Sequence, residues 1–169
     1  RPGCATLNRA VMDRPNAPIA AVALARDLIR CPSVTPADAG ALAVLEDALA
    51  PRGFVCERMP FSQPGTPDVD NLYARFGSAG RHLCFAGHSD VVPPGSHDGW
   101  SVDPFEGRIE NGLLIGRGAN DMKSAIAAFA AAAADFAPRL AGRGSISLLI
   151  TGDEEGPSLN GTVKMLARL

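Results

Sequence analysis

Apolar positions first recur with a helical spacing. From Asn16 onward, Ile19, Val22, Leu28 and Ile29 share one helix face, and the helix should stop at Cys31-Pro32. Thr35-Pro36-Ala37-Asp38 then predicts a second start, with an N-cap, a proline at the first helical position and a carboxylate two residues on. Leu42, Leu45 and Leu49 continue that helix as a single stripe, and Gly53 ends it. The pattern next turns strand-like over Phe54 to Met59, Leu72 to Phe76 and His82 to Ala86, with a loop between Pro60 and Pro67. Arg108-Ile109-Glu110 and Leu113-Leu114-Ile115 flank Asn111-Gly112, a hairpin turn signal. An Ala-rich helix is expected from about Met122 to Phe136, a buried strand over Ser145 to Thr151, and another helix from Thr162 to Leu169. The alternation predicts an α/β fold, a three-layer sandwich whose mixed, mostly parallel sheet is flanked by helices. Residues 1–16 carry no periodicity and are expected to form a loose tail before a single unit over 17–169.

Composition narrows the function more than the fold. With 16 basic and 18 acidic side chains, the charge is near balance, and no basic stripe or acidic tail points to nucleic acid or a charged partner. The expected ligand is a small molecule. The longest apolar run, Ser124 to Ala137, is too short to span a bilayer, so no membrane association is expected. Cys4, Cys31, Cys56 and Cys84 lie far apart with no Cys-x-x-Cys pair. That spacing fits reduced thiols in a cytoplasmic protein better than a disulfide framework or a structural zinc site. Arg1 stands where an initiator Met is usual and no apolar signal core follows, which suggests a fragment of a cytoplasmic protein.

Three polar clusters sit at the ends of apolar elements, where an open α/β sheet places its ligands. Gly87-His88-Ser89-Asp90 leaves the third predicted strand; in extended backbone His88 and Asp90 point the same way, so the carboxylate can hold the imidazole. Asp121, in Gly116-Arg117-Gly118-Ala119-Asn120-Asp121, precedes the Ala-rich helix. It fits either an ordinary N-cap or a carboxylate bridging two cations. A dinucleotide loop is excluded there, because the third glycine is absent and Asp121 would face a pyrophosphate. Asp153-Glu154-Glu155-Gly156 follows the buried strand. It fits a solvated acidic turn, or carboxylates whose repulsion a divalent cation would reverse. One His, one bridging Asp and one Glu suit Zn²⁺ or a similar ion, and a spare Glu suits a general base. Trp100, in a loop rich in Gly and Pro, fits either a cleft wall or plain packing.

At these residues the chain resembles the M20 family of metallopeptidases and amino-acid deacylases. The strings that carry the resemblance are GHSDVVPPG (87–95), WSVDPFEG (100–107), GRGANDMKS (116–124) and ITGDEEGPSLNGT (150–162), and the likeness runs from about Ile19 to Leu169. Ser89 stands where the family usually has Thr, and Ser124 where it often has Gly. The resemblance implies His88 and Glu155 as ligands of two different cations, with Asp121 bridging them. It implies Asp90 as the residue that orients His88, and Glu154 as general base and acid. The cofactors implied are two divalent ions, Zn²⁺ or alternatively Co²⁺, and the substrate is a small N-acyl amino acid whose amide is hydrolysed. The family's remaining ligands, and the inserted lid domain through which the full-length enzyme forms a homodimer, would lie beyond Leu169. Residues 17–169 are therefore expected to be the N-terminal part of an incomplete catalytic domain, binding metal weakly and inactive alone. The alternatives are a family member of other acyl or dipeptide specificity, or a non-catalytic remnant acting as an interaction module.

Overall fold

The computed structural model describes residues 18–169. The expected N-terminal tail lies outside the described residues. Helix α1 spans Ala21–Ile29 and buries Leu24, Ala25, Leu28 and Ile29. Val22 is 57% exposed, because it sits two residues, or about 200°, from Leu24 around a helix of roughly 3.6 residues per turn. Ile19 is buried just ahead of the helix.

Helix α2 spans Ala41–Leu49, six residues later than the N-cap expected at Thr35. The N-cap position is Gly40, and Asp38 two residues ahead supplies the acceptors: its Oδ1 accepts from the Leu42 amide at 2.9 Å and its Oδ2 from the Gly40 amide at 3.1 Å. Thr35 is used elsewhere. Its backbone amide donates to the carbonyl of Val91, and Val34 forms a parallel bridge with Val91. The helix ends where expected, in a turn over Ala50–Arg52 closed by Gly53 at φ +83°, a left-handed conformation that favours glycine.

The strands are β1 (Val55–Arg58), β2 (Leu72–Phe76), β3 (Arg81–His88) and β6 (Gly144–Thr151), in the spatial order β1-β2-β6-β3. A separate hairpin joins β4 (Arg108–Glu110) to β5 (Leu113–Ile115) through Asn111 and Gly112, both at positive φ as the turn requires. The main sheet is mixed. Its parallel share is smaller than expected: β3–β6 is parallel, whereas β1–β2 and β2–β6 are antiparallel. A helical crossover separates β3 from β6 in the chain and permits their parallel pairing, but strand order is decided by long-range packing that composition does not display.

Side-chain alternation divides the sheet into two faces. Leu72, Ala74, Ile146, Leu148 and Ile150 face the core formed with α1, α2 and α3, the last spanning Ser124–Leu140. Tyr73 and Leu149 face the other way, against Met59 and Met165 of α4 (Thr162–Arg168). Helices on both faces make the three layers. Alanines 127, 130, 133, 134 and 137 are buried along α3, and Phe129 of that helix stacks on Phe85 of β3 with ring centroids 4.5 Å apart. Leu83 on the outer strand and Val163 and Leu166 on the outside of α4 remain exposed.

Because β3 and β6 run in parallel, their last pair is His88 with Thr151, and both polar segments leave the sheet at one end. Ser89 extends that ladder by donating its amide to the carbonyl of Thr151 at 2.9 Å.

Leu148→Ala, fully buried on the central strand, should cost about 2–5 kcal/mol in urea unfolding. Leu83→Ala, 59% exposed on the outer strand, should cost less than about 1 kcal/mol. Equal losses would contradict the placement of the core.

Candidate metal centre

His88 is the buried centre of the site, its side chain only 6% exposed. Nδ1 lies 3.0 Å from the backbone carbonyl of Asp90 and 3.5 Å from its Oδ1. The carbonyl is therefore the nearer partner holding the ring, where sequence pointed to the carboxylate. Nε2 faces outward, 3.0 Å from Oδ1 of Asp121 and 3.8 Å from Oε2 of Glu154. Asp121 belongs to an irregular turn over Ala119–Lys123 and has extended dihedrals, so it is not the N-cap of α3, which begins at Ser124. Ligand atoms of His88, Asp121 and Glu155 all lie within 4.8 Å of one another. All five residues singled out from sequence are thus brought to one spot.

Asp90 does more than face His88. Its carboxylate, on a residue 1% exposed, accepts the Thr35 hydroxyl at 2.6 Å, the Glu155 amide at 3.0 Å and the Glu154 amide at 3.2 Å. Burial works to raise its pKa, but the hydrogen bonds from His88, Thr35 and the two amides prevail and hold it below the usual carboxylate value.

Asp153 resolves the three adjacent carboxylates differently from either expectation. It is 3% exposed and accepts the backbone amides of Ser158, Leu159 and Asn160, so it folds the loop rather than entering solvent or facing a cation. Asn71 ties the same loop to the sheet: its Nδ2 donates to the carbonyls of Met59 and Asn160, and its Oδ1 accepts from Thr151 and Gly152. Lys123, fully buried, donates from Nζ to the carbonyl of Cys31 at 2.8 Å, and burial pushes its pKa down to about 8. The sequence pattern assigned no role to Asn71 or Lys123, and it read Thr35 as a helix N-cap and Asp153 as part of an acidic turn or cation site. The apolar context of Asp153 after a buried strand was the one usable signal.

Charge at the site is unbalanced. Burial favours the neutral imidazole of His88, yet the Asp90 and Asp121 carboxylates outweigh it and raise the pKa to about 9. Burial, together with the neighbouring carboxylates of Glu154, Asp121 and Asp90, raises that of Glu155 against the opposing pull of His88. The imidazole of His88 with the carboxylates of Asp121 and Glu155 is a donor set that a divalent cation fits, and Asp90 and Glu154 add negative charge around it.

Trp100 packs beside this end of the fold. Its indole donates to the carbonyl of Pro94 at 3.0 Å, and the Arg117 guanidinium lies 5.3 Å from its ring centroid. A cavity of about 230 Å³ opens next to Glu155, walled by Thr35, Pro67, Val69, Val92 and Pro157; Trp100 is not in its lining.

Peptidase family M20/M25/M40 matches residues 84–169, the half of the chain that holds all five residues. The chain belongs to this family. Its members' chemistry implies divalent metal ions. Within the family the chain is 64% identical over 155 residues to a succinyl-diaminopimelate desuccinylase of Parvibaculum lavamentivorans, covering 92% of this chain and 39% of that protein. It is 60% identical over 152 residues to the protein of the same name from Bradyrhizobium diazoefficiens, covering 86% and 39%. The chain thus spans about two fifths of the length of these curated relatives. Among solved structures, human carnosine dipeptidase 1 superposes with a TM-score of 0.71 at 26% identity, over 88% of this chain and 34% of that one. The M20 family metallo-carboxypeptidase Sso-CP2 of Sulfolobus solfataricus gives 0.66 at 21% identity, over 83% and 32%, and supports the fold alone. Among the described residues no helix is long and apolar enough to cross a membrane, and no disulfide joins Cys31, Cys56 or Cys84.

Isothermal titration of the 169-residue chain with Zn²⁺ should show weak binding that Asp121→Asn, at the middle of the donor set, abolishes. Tight binding of two ions, or indifference to Asp121→Asn, would contradict this geometry.

Proposed function

We propose that the chain is the metal-binding, N-terminal part of the catalytic domain of a two-metal amidohydrolase. Its reaction is hydrolysis of N-succinyl-LL-diaminopimelate to succinate and LL-diaminopimelate, a step of lysine biosynthesis. The observation that carries this reading is the convergence of His88, Asp121 and Glu155 to within 4.8 Å. The substrate assignment rests on identities of 57–64% to proteins named succinyl-diaminopimelate desuccinylase. A dipeptidase is the second reading, favoured by the likeness to carnosine dipeptidase 1, but its 26% identity carries less weight.

In this reading His88 would hold one cation and Glu155 the other, and Asp121 would serve both. Zn²⁺ suits the mixed nitrogen and oxygen donors, with Co²⁺ as the alternative. The cations, when bound, polarise the amide carbonyl and make water acidic enough to ionise near neutral pH. Asp90 keeps His88 in place from behind. Glu154, whose carboxylate is 56% exposed and 3.8 Å from Nε2 of His88, takes the proton of the attacking water. As the C–N bond breaks, Glu154 returns that proton to the departing amine, so the carboxylate is regenerated.

Two protein ligands per cation fall short of the three usual at catalytic zinc. We take the remaining ligands, and the lid through which a homodimer forms, to come from the part of the relatives that this chain does not span. A cytoplasmic setting accords with described cysteines that form no disulfide.

A chimera tests the assignment. Residues 1–169 joined to the C-terminal part of the Parvibaculum lavamentivorans relative should hydrolyse N-succinyl-LL-diaminopimelate and leave N-acetylornithine largely untouched. Glu154→Gln in that chimera should lower kcat by about 10²–10⁴. A folded chimera that prefers the acetyl substrate, or that tolerates Glu154→Gln, would overturn the assignment.

A further inference from the structure

The segment Ser33-Val34-Thr35, which begins no helix, lies as a strap along Ser89-Asp90-Val91. Ser33 Oγ donates to the carbonyl of Ser89 at 2.6 Å, the Val91 amide donates to the carbonyl of Ser33 at 2.9 Å, and the Thr35 amide donates to the carbonyl of Val91 at 3.2 Å. The strap therefore sets the position of the Thr35 side chain independently of the acidic loop.

That side chain makes two contacts of consequence. Its hydroxyl donates to Oδ2 of Asp90 at 2.6 Å, the same oxygen that accepts the amides of Glu155 at 3.0 Å and Glu154 at 3.2 Å. Its methyl lies against Gly156: a Cβ added there would fall 2.8 Å from Thr35 Cγ2 and 2.7 Å from Asp153 Oδ1. The loop that carries Glu154 and Glu155 is thus drawn down onto Thr35 from both sides. A carboxylate is free to turn about its last torsion, and the Glu154 amide spans both oxygens while the Glu155 amide meets Oδ2 alone. With the His88 ring 3.5 Å from Oδ1, the hydroxyl is the donor that fixes Oδ2 on the side of Glu155.

We propose that Thr35 is a positioning residue of the metal centre: it locks the Asp90 carboxylate in the orientation that seats the Glu154 and Glu155 amides, and so places the Glu155 carboxylate beside His88 and Asp121. This rests on the metal-centre reading above. It adds a residue outside the proposed donor set, acting through Asp90 and lying 120 positions from Glu155 in the chain.

The test compares Thr35→Val, which keeps the shape and removes the hydroxyl, with Thr35→Ser, which keeps the hydroxyl. The readouts are amide hydrogen exchange and Zn²⁺ affinity in the 169-residue chain. Thr35→Val should speed exchange at the Glu154 and Glu155 amides about tenfold to a hundredfold while core amides such as Leu148 stay within about twofold, and should weaken Zn²⁺ about tenfold. Thr35→Ser should restore both. Should the extra methyl of Val prevent folding, Thr35→Ala against Thr35→Ser makes the same comparison. Wild-type Zn²⁺ binding that survives loss of the hydroxyl, or a Ser variant no better than the Val variant, overturns the inference and leaves the metal reading standing. Absence of Zn²⁺ binding in the wild-type chain overturns both.

Discussion

An ionised carboxylate taken out of water costs several kcal/mol unless its lone pairs are met by donors. Asp90, 1% exposed, is that case, and its donors are drawn from distant parts of the chain: the Thr35 hydroxyl, the Glu154 and Glu155 amides, and the His88 ring 3.5 Å away. Satisfying this one charge requires the strap around residue 35, the end of β3 and the loop after β6 to meet. The candidate site is the place where they do.

The sheet makes that meeting possible. Parallel pairing of β3 and β6 brings His88 level with Thr151, so the residues that follow deliver Asp90 and the acidic loop to the same end of the sheet. Asp153 then folds the loop back on its own amides, and Asn71 fastens it to β2 and to the chain near Met59. The result separates three consecutive carboxylates by role. The first stabilises backbone, the second projects toward solvent, and the third faces the imidazole and Asp121. Such a division relieves the mutual repulsion of neighbouring acids and leaves a net negative pocket for cations.

Much of this was legible in the residue pattern, for physical reasons. The strand over Leu72–Phe76 and the hairpin around Asn111-Gly112 are local: side-chain alternation and positive φ at the turn need no distant partner. The convergence of His88, Asp121 and Glu155 was legible too, since each stands near one end of an apolar element. What failed was non-local. Thr35-Pro36 satisfies a helix-start pattern, yet the hydroxyl is spent on a carboxylate 55 positions away, and Asp38 accepts the Leu42 amide of α2 instead. The balance of parallel and antiparallel pairs depends on strand order, which no short window of sequence carries. Val22 shows the same limit at small scale, because a face shared by apolar residues was assigned before its buried side was known.

One buried acid gathers residues from three segments into a pocket built for cations. Anomalous diffraction at the zinc edge, from crystals of the chain grown with Zn²⁺, tests it directly. Scattering is expected within bonding distance of His88 Nε2 and the carboxylates of Asp121 and Glu155. Zinc ordered only elsewhere, with His88 still hydrogen-bonded to Asp121, would contradict it.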